Sequence, residues 1–178
     1  YSQNRIIILG KSITEENMDD GIDFFVRDVE NSSSVCIAAA EKTASEILEA
    51  KNGEEYISAG NIAVAINSSE YDGRIFKIQL YELINRYNSS TKDFAIPLLS
   101  VAESDKEKTI EITGTALFNN TKYREKISKD ETVFFNMLYD RINNSALSYD
   151  YDENKKVSLN IINAKTTRKV SLINGKPV

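Results

Sequence analysis

The stretch "TIEITGTALFNNTKYREKIS", residues 109–128, decides the fold, because a strand pattern, a turn signal and a helix start follow one another in it. Alternate positions from Ile110 to Phe118 are apolar or small, which is the pattern of a strand with one face on the core. Gly114 and Ala116 fall on the same predicted face as Ile110 and Ile112. That face is therefore flat at its centre, and we expect a helix to pack closely against it.

The end of this stretch predicts a hairpin and then a helix. Asn119 and Asn120 favour a turn, because asparagine tolerates positive φ angles better than most residues. Ser128 and Glu131 have the spacing of a capping box, in which each side chain bonds to the backbone amide of the other residue. The helix that follows carries a predicted apolar core stripe, made of Phe134, Met137, Leu138 and Ile142.

Upstream, the sequence alternates between short apolar runs and helical patterns. "RIIIL" (residues 5–9) and "SSVCIAAA" (33–40) are typical of strands that are covered on both faces. Helices are predicted in "TEENMDDGIDFFVRD" (14–28) and in "EKTASEILEA" (41–50). Strands separated by helices favour parallel pairing with right-handed crossovers.

The middle and the end of the chain add further elements. A helix is predicted over "GRIFKIQLYELINRYN" (73–88), whose apolar stripe belongs to the core. "FAIPLLSVAE" (94–103) is a predicted strand, and Pro97 within it favours an edge position or a bulge. Residues 145–172 have the pattern of three strands with polar turns. The sequence thus predicts an α+β (mixed α/β) fold, with a β-α-β-α N-terminal part packed beside a mainly antiparallel sheet with helices.

Composition narrows the functional classes. The chain has 178 residues, of which 41% are hydrophobic and 28% charged, as is typical of a globular protein. Its net charge of −5 and its lack of a basic cluster with interleaved aromatics argue against a nucleic-acid partner. It has no histidine and one cysteine, so Ser-His-Asp and Cys-His catalysis, most zinc sites and an intrachain disulfide are excluded. The cysteine, Cys36, lies among apolar residues, and we interpret it as a small buried hydrophobe.

Three short motifs suggest chemistry but have simpler interpretations. "LGKSI" (9–13) follows a strand as a phosphate-binding loop does, yet Arg5 stands where that motif needs its first glycine, so Gly10 is interpreted as a strand-to-helix turn. "YDYDEN" (149–154) begins like a calcium loop, but Lys155 replaces the required glycine, so a solvated hairpin turn is favoured. The acidic residues of "TEENMDD" complement a helix dipole without any catalytic role.

Arg27 and Asp28 end the helix pattern "DFFVRD". They allow either a partly buried ion pair at a contact surface or a local salt bridge at the end of the helix. The local salt bridge is favoured on general grounds, because most exposed ion pairs are local and weak. The residues alone identify no catalytic, cofactor-binding or metal-binding set.

Four segments, in order, resemble the Ger(x)C family, the lipoprotein C subunits of spore germinant receptors. Residues 5–48 are similar to a family strand that is followed by a "ldfflRd" helix, a second strand and a "kAkdiL" helix. "DFAIPLLS" (93–100) resembles the family's "dp.lPll" element, and "ITGTALFNNTKYREKISKDET" (112–132) resembles its "i.GtAvFk.dklvg.Ls.eEt" signature. Residues 157–178 resemble the strands that enter the family's C-terminal domain. The positions that match the family's signatures are Arg27, Asp28, Gly114, Thr115 and Phe118.

The resemblance implies the central part of a longer lipoprotein. Residues 1–92 are predicted to be the C-terminal part of the family's first domain, residues 93–165 a second small α+β domain, and residues 166–178 a linker into a third domain. The family implies a location on the outer face of the spore inner membrane. The N-terminal lipid anchor that the family implies is absent from the quoted sequence.

The same resemblance implies a non-enzymatic function. The expected partners are the integral-membrane A and B subunits of a germinant receptor, with which the protein acts in the spore's response to nutrients. The resemblance implies no cofactor and no metal. Two alternatives stay open, which are a nucleotide- or small-molecule-binding protein that uses the β-α-β half, and a secreted adhesin-like module. Tight ATP or GTP binding that Lys11→Ala abolishes would favour the first.

Overall fold

The computed structural model describes residues 4–16, 18–27, 33–52, 55–68, 72–104, 107–142, 145–152, 155–169, 171–173 and 176–177. Within these ranges the helices are α1 (Lys11–Glu16), α2 (Met18–Arg27), α3 (Ala44–Leu48), α4 (Ala59–Asn67), α5 (Leu80–Tyr87) and α6 (Lys129–Leu138). The strands are β1 (Ile6–Leu9), β2 (Cys36–Ala40), β3 (Lys51–Asn52), β4 (Glu55–Tyr56), β5 (Phe94–Ser104), β6 (Glu107–Asn119), β7 (Lys122–Ser128), β8 (Ser145–Asp152), β9 (Lys155–Ile161), β10 (Leu172–Ile173) and β11 (Lys176–Pro177).

The main sheet has five strands in the order β1-β2-β5-β6-β7. β1 pairs with β2 in parallel, and β2 pairs with β5 in parallel, as the alternation of strands and helices predicts. β5, β6 and β7 continue the sheet in antiparallel order. The fold is therefore mixed α+β, which confirms the predicted class. The sheet joins strands from both sides of residue 92, and the division of the chain into domains stays a prediction.

Helices cover the sheet on both faces, and β2 shows how the apolar residues divide between them. Ile37 and Ala39 pack in a first core cluster together with side chains of α1, α2 and α5. Cys36 and Ala38 pack in a second cluster together with side chains of α3 and α4. This arrangement explains why β2 is a continuous apolar run, and it places Cys36 in the core as the sequence predicts.

A β-bulge interrupts the long strand β6. The consecutive residues Leu98 and Leu99 of β5 pair with Gly114 and Ile112 of β6, so Thr113 is an extra residue on the β6 side. One extra residue moves every later side chain to the other face of the sheet. The two halves of β6 therefore contribute to different core clusters.

The predicted single apolar face from Ile110 to Phe118 is accordingly wrong. Ile110 and Ile112 pack in the second cluster, whereas Ala116 and Phe118 pack in the first. The alternation in the sequence is regular on both sides of Gly114, so the pattern alone could not reveal the change of face.

Pro97 lies in β5, which has a neighbouring strand on each side, so the edge position considered for it is wrong. Pro97 does not lie in a bulge either, because it pairs in register with Thr115, and the extra residue at the register shift that follows is Thr113 of β6. Pro97 also precedes Leu98, the first residue of β5 that pairs with β2. A residue without an amide hydrogen thus lies just outside the parallel pairing.

The helix predicted over residues 73–88 is wrong in its first half, because only Leu80–Tyr87 is helical. The preceding segment begins with a turn at residues 73–74 and then lies beside β2, where the carbonyl of Ile78 accepts a 3.0 Å hydrogen bond from the amide of Ile37. Gln79 also forms a bridge with Cys36, beyond the two residues of β2 that pair with β5. Pairing with β2 therefore overrides the helical periodicity, and Gln79 becomes the N-cap of α5.

α6 begins at the predicted capping box, but it buries a different face from the predicted one. Phe134 and Leu138, which were predicted to be core residues, are 56% and 50% exposed. The buried residues of the helix are instead Thr132, Val133 and Asn136. The Asn136 amide donates hydrogen bonds of 2.9 and 3.0 Å to the carbonyls of residues 73 and 75, and these bonds hold a polar side chain in the core.

The hairpin between β6 and β7 is confirmed, with its turn one residue later than predicted. Asn120 and Thr121 occupy the turn with φ angles of +51° and +62°. β8 and β9 form a second, separate hairpin, and Glu153 and Asn154 of the "YDYDEN" motif lie outside the described residues. In the region of the third predicted C-terminal strand, the residues that the structure describes form only the two-residue strand β10.

Candidate functional site

Gly114 is the signature residue at the bulge, where β6 meets β7. It pairs with Ser128, its φ angle is +155°, and a Cβ atom at this position would overlap the carbonyl oxygen of Ile127. Its close neighbour is thus the backbone of β7, and the predicted close approach of a helix to this glycine is wrong. Only a residue without a side chain allows β7 to pair so closely beside the bulge.

Thr115 connects β6 to the first turn of α6. Its side chain is fully buried, and its hydroxyl lies 3.0 Å from the hydroxyl of Thr132. The Thr132 hydroxyl donates to the carbonyl of Ser128 at 2.7 Å, so Thr115 is the donor in the pair of threonines. Both buried hydroxyls therefore have hydrogen-bond partners, and their bond holds the start of α6 on the sheet.

Phe118 is also buried, in the first core cluster. Its ring stacks on Phe94 of the neighbouring strand with 4.8 Å between ring centroids. Tyr123 of β7 meets the same ring edge-on, with 5.9 Å between centroids. These contacts join β5, β6 and β7, so Phe118 stabilises the sheet.

Glu41 is the central polar residue of a cleft at the carboxyl ends of β1 and β2. It follows β2 directly, accepts a 2.5 Å hydrogen bond from the hydroxyl of Thr113 and forms an ion pair with Lys126 of β7. Burial raises the pKa of Glu41, but the hydrogen bonds from Lys126 and Thr113 outweigh burial and hold the pKa below its ordinary value. The extra residue of the bulge thus provides the hydroxyl that binds this carboxylate.

The cleft consists of two adjoining depressions of about 230 and 530 Å³. Both are lined by Lys11, Glu15 and Glu41, and the smaller one has Ala116 and Tyr123 in its wall. Burial, followed by the charge of Glu15, raises the pKa of Tyr123. The cleft is therefore charged at its rim, with acidic and basic groups side by side.

The cations of this cleft have acidic partners. Lys11 lies 3.7 Å from Glu15, and Lys42 lies 3.4 Å from Glu46. The amide of Lys11 donates a 2.9 Å hydrogen bond to the Lys42 carbonyl, and Gly10 forms the turn from β1 to α1. The amide that a phosphate loop would direct at a ligand is thus bonded to the protein itself.

Arg27 lies at the exposed end of α2. Its Nε donates a 2.7 Å hydrogen bond to Asp23, four residues earlier, and the arginine side chain is 78% exposed. The favoured local salt bridge is therefore present, with Asp23 as the partner, while Asp28 lies outside the described residues. Phe24, on the same face of α2, is 64% exposed.

The structure brings only part of the sequence-predicted set together. Gly114, Thr115 and Phe118 lie in one strand, whereas Arg27 lies on α2. Sequence analysis missed Glu41 and Lys126, although the position of Glu41 directly after a buried strand was an available signal.

The described part of the chain contains no group of three or more Cys, Asp or Glu side chains that could hold a metal ion. Among its helices, none is both long enough and apolar enough to cross a membrane.

Comparisons with known proteins agree along the chain. The family described as "Spore germination protein N-terminal domain" matches residues 1–101, and the family described as "Spore germination B3/ GerAC like, C-terminal" matches residues 113–178. The spore germination protein GerQC of Bacillus cereus is 19% identical over 170 residues, which are 96% of this chain and 46% of that protein.

Among solved structures, the crystal structure of the GerBC protein is similar. Its TM-score is 0.69 at 19% identity, and the match covers 99% of this chain and 50% of that chain. This likeness shows a common fold. The chain spans about half the length of both relatives.

Proposed function

The chain belongs to the Ger(x)C family of spore germination proteins, the germinant receptor C subunits, and we propose that it acts there as a non-enzymatic subunit. It assembles with the integral-membrane A and B subunits and is required for the response to nutrients. In the spore it lies on the outer face of the inner membrane, where a lipid anchor holds the complete protein. The observation that carries this proposal is the match of two spore germination families to successive parts of the chain.

The chemistry of the cleft supports a non-enzymatic role. A general acid or base needs a pKa close to the working pH. The pKa of Glu41 is instead held below its ordinary value, away from the working pH, and its carboxylate is bound by Lys126 and Thr113. Glu41 therefore stays ionised and paired, which suits a structural link between β2, β6 and β7.

α2 supplies a surface for the contact with a partner subunit. Phe24 and Arg27 lie three residues apart on its exposed face, and aromatic and arginine side chains are enriched in protein interfaces. We propose that this face, in the helix that resembles the family signature, contacts an integral-membrane subunit. Gly114, Thr115 and Phe118 act indirectly, because they stabilise the sheet that supports the helix.

The proposal is tested by nutrient-triggered release of dipicolinate from spores. A strain that lacks the complete gene is compared with the same strain after the gene is restored. Loss of the response to particular nutrients, with recovery on restoration, is the expected result. An unchanged response to every nutrient in a strain without other germinant receptors would contradict the proposal.

The contact on α2 is tested by co-purification of the A and B subunits with the restored protein. Phe24→Ser combined with Arg27→Ala is expected to reduce the recovered partner subunits at equal protein level. Val64→Ser is the matched control, since Val64 is 66% exposed on α4, on the other face of the sheet. Equal recovery in all three proteins would exclude α2 as the contact.

A further inference from the structure

Two arginines from distant parts of the chain flank one tyrosine at the end of α6. The guanidinium carbon of Arg86, in α5, lies 5.1 Å from the centroid of the Tyr139 ring, and that of Arg168 lies 5.9 Å from the same centroid. Tyr139 is the C-cap of α6. A helix C-terminus attracts cations, and the aromatic ring holds the planar guanidinium groups in place.

The segment around Arg168 is fixed to this end of α6. The amide of Ala164 donates a 3.3 Å hydrogen bond to the Ile142 carbonyl. The amide of Thr166 donates to Asp140 at 2.6 Å, and its hydroxyl donates to the carbonyl of Met137 at 2.7 Å. Residues 164–168 therefore belong to the folded surface, and the basic side chains among them have a defined place.

Basic side chains are concentrated at this end of α6, although the whole chain is acidic. Arg168 lies 3.8 Å from Asp140, and Arg141 lies 2.9 Å from Glu82. Arg86 lies over the Tyr139 ring beside these pairs, and Lys165 and Lys169, which are both exposed, lie in the same segment as Arg168. We call Arg86, Lys165, Arg168 and Lys169 the basic surface. It has a local excess of cations on a chain with a net charge of −5.

We propose that the basic surface binds an anionic lipid bilayer. The planar guanidinium group of arginine presents paired donors that match the oxygens of a lipid phosphate. Each cation near an anionic bilayer adds to the attraction. Leu138 is 50% exposed next to Tyr139, and Ile162 is 75% exposed shortly before the basic segment. Exposed apolar side chains beside cations suit the boundary between headgroups and acyl chains.

The shape of the basic surface favours a bilayer over an acidic peptide. Its cations come from α5 and from the segment after β9, so they spread over the outside of the molecule. Neither depression of the cleft is lined by a residue of the basic surface. An acidic peptide gains most from a groove that holds it, whereas a bilayer needs only an accessible charged surface. The inference does not depend on the proposed contact at α2.

The test is co-sedimentation of the purified chain with vesicles. Binding is expected to vesicles of phosphatidylcholine mixed with phosphatidylglycerol, to weaken as salt is raised, and to be absent with phosphatidylcholine alone. Lys165→Glu with Lys169→Glu is expected to lower the partition coefficient about thirtyfold or more. Both positions are exposed, and an unchanged thermal midpoint will show that the variant is folded.

The matched control is Lys122→Glu with Lys129→Glu, which makes the same change in net charge on β7 and at the start of α6. This control is expected to keep most of the binding. Equal loss in both variants would mean that the overall charge drives the binding, and it would overturn the proposal. Failure of the wild-type chain to bind the anionic vesicles, or binding of polyglutamate in place of vesicles, would overturn it too. None of these results affects the co-purification test of the α2 contact.

Discussion

At the scale of single residues, the clearest prediction concerns the effect on stability of a substitution at Gly114. Gly114→Ala is expected to lower the free energy of unfolding by about 1–3 kcal/mol, because the new methyl group meets the Ile127 carbonyl at a backbone angle that L residues rarely adopt. Chemical denaturation followed by circular dichroism measures the loss.

Gly60→Ala is the control for that experiment. A Cβ at Gly60 meets its nearest neighbour, Ser58 Oγ, at an ordinary distance of 3.6 Å, and the residue lies in the first turn of α4. Alanine is the better helix former, so this variant is expected to lose no stability. Equal stability of the Gly114 and Gly60 variants would show that β7 can move away from the bulge.

Glu41 predicts a pH dependence of stability. Its pKa is lower in the folded chain than in the unfolded chain, so its contribution is complete above its ordinary value of 4.5 and is lost as the pH falls through the folded pKa. Glu41→Gln removes the charge that Lys126 binds. The stability difference between wild type and this variant is therefore expected to shrink on acidification below 4.5.

Urea denaturation of both proteins across this pH range measures the difference. The comparison with Glu41→Gln is needed because hydrogen bonds from Lys108 and Ser128 also lower the pKa of Glu103 and Glu131, respectively. These two carboxyls titrate in both proteins, so their effects cancel in the difference. A difference that stays constant well below the ordinary value would mean that the Lys126 pair contributes nothing.

Sequence analysis could predict that Gly114 needs a close neighbour, but it could not identify that neighbour. Alternation shows where a side chain is missing, whereas the pairing of β6 with β7 and the register shift decide what fills the space. Thr113 and Glu41 lie 72 positions apart, and only the assembled sheet brings them together.

At the scale of elements, the orientation of α6 can be tested with two neighbouring residues. Val133 is fully buried and Phe134 is 56% exposed, the reverse of what their size suggests. Val133→Ala is expected to cost about 2 kcal/mol of unfolding free energy, through lost burial and a small cavity. Phe134→Ala is expected to change it by no more than about 0.5 kcal/mol.

Both substitutions place alanine in the same helix, so helix propensity affects them similarly. Equilibrium unfolding of the two variants therefore compares burial directly. A larger loss for Phe134→Ala would restore the apolar stripe that the sequence predicts. The sequence could show where α6 begins, through Ser128 and Glu131, because the capping box is a local interaction.

The buried face of α6 could not be predicted, because two of its positions are polar. Thr132 is buried through its bond with Thr115, and Asn136 is buried through its bonds to the carbonyls of residues 73 and 75. These partners are distant in sequence, so hydrophobicity along the helix points to the wrong side. The helix prediction for the segment before α5 was wrong for the same reason, since the hydrogen bond of that segment with Ile37 is a tertiary contact.

At the scale of the whole molecule, the order of motifs is more informative than any one of them. Each motif that resembles the Ger(x)C family is short, yet their order along the chain agrees with the two spore germination families that match residues 1–101 and 113–178. Composition and periodicity gave the mixed α+β class. They did not give the order of the strands, because β5 joins the sheet beside β2 only after α3, α4 and α5.

The common sheet makes a prediction about the division of the chain at residue 92. β1 and β2 belong to the first predicted domain, and β5, β6 and β7 to the second. The first core cluster needs Phe94, Ile96 and Leu98 of β5 to cover the side chains of α2 and α5. A peptide of residues 1–92 contains α1 to α5 but lacks β5. It would therefore expose a large apolar surface to water.

We therefore expect residues 1–92 alone to lack a cooperative thermal transition, and residues 1–142, which contain all five strands of the sheet, to unfold in a single one. Circular dichroism and calorimetry on the two peptides, beside the whole chain, make the comparison. A cooperative transition in residues 1–92 would show that the division at residue 92 separates independently folding units. Its absence, with a single transition in residues 1–142, would mean that the two predicted domains fold as one unit around β5.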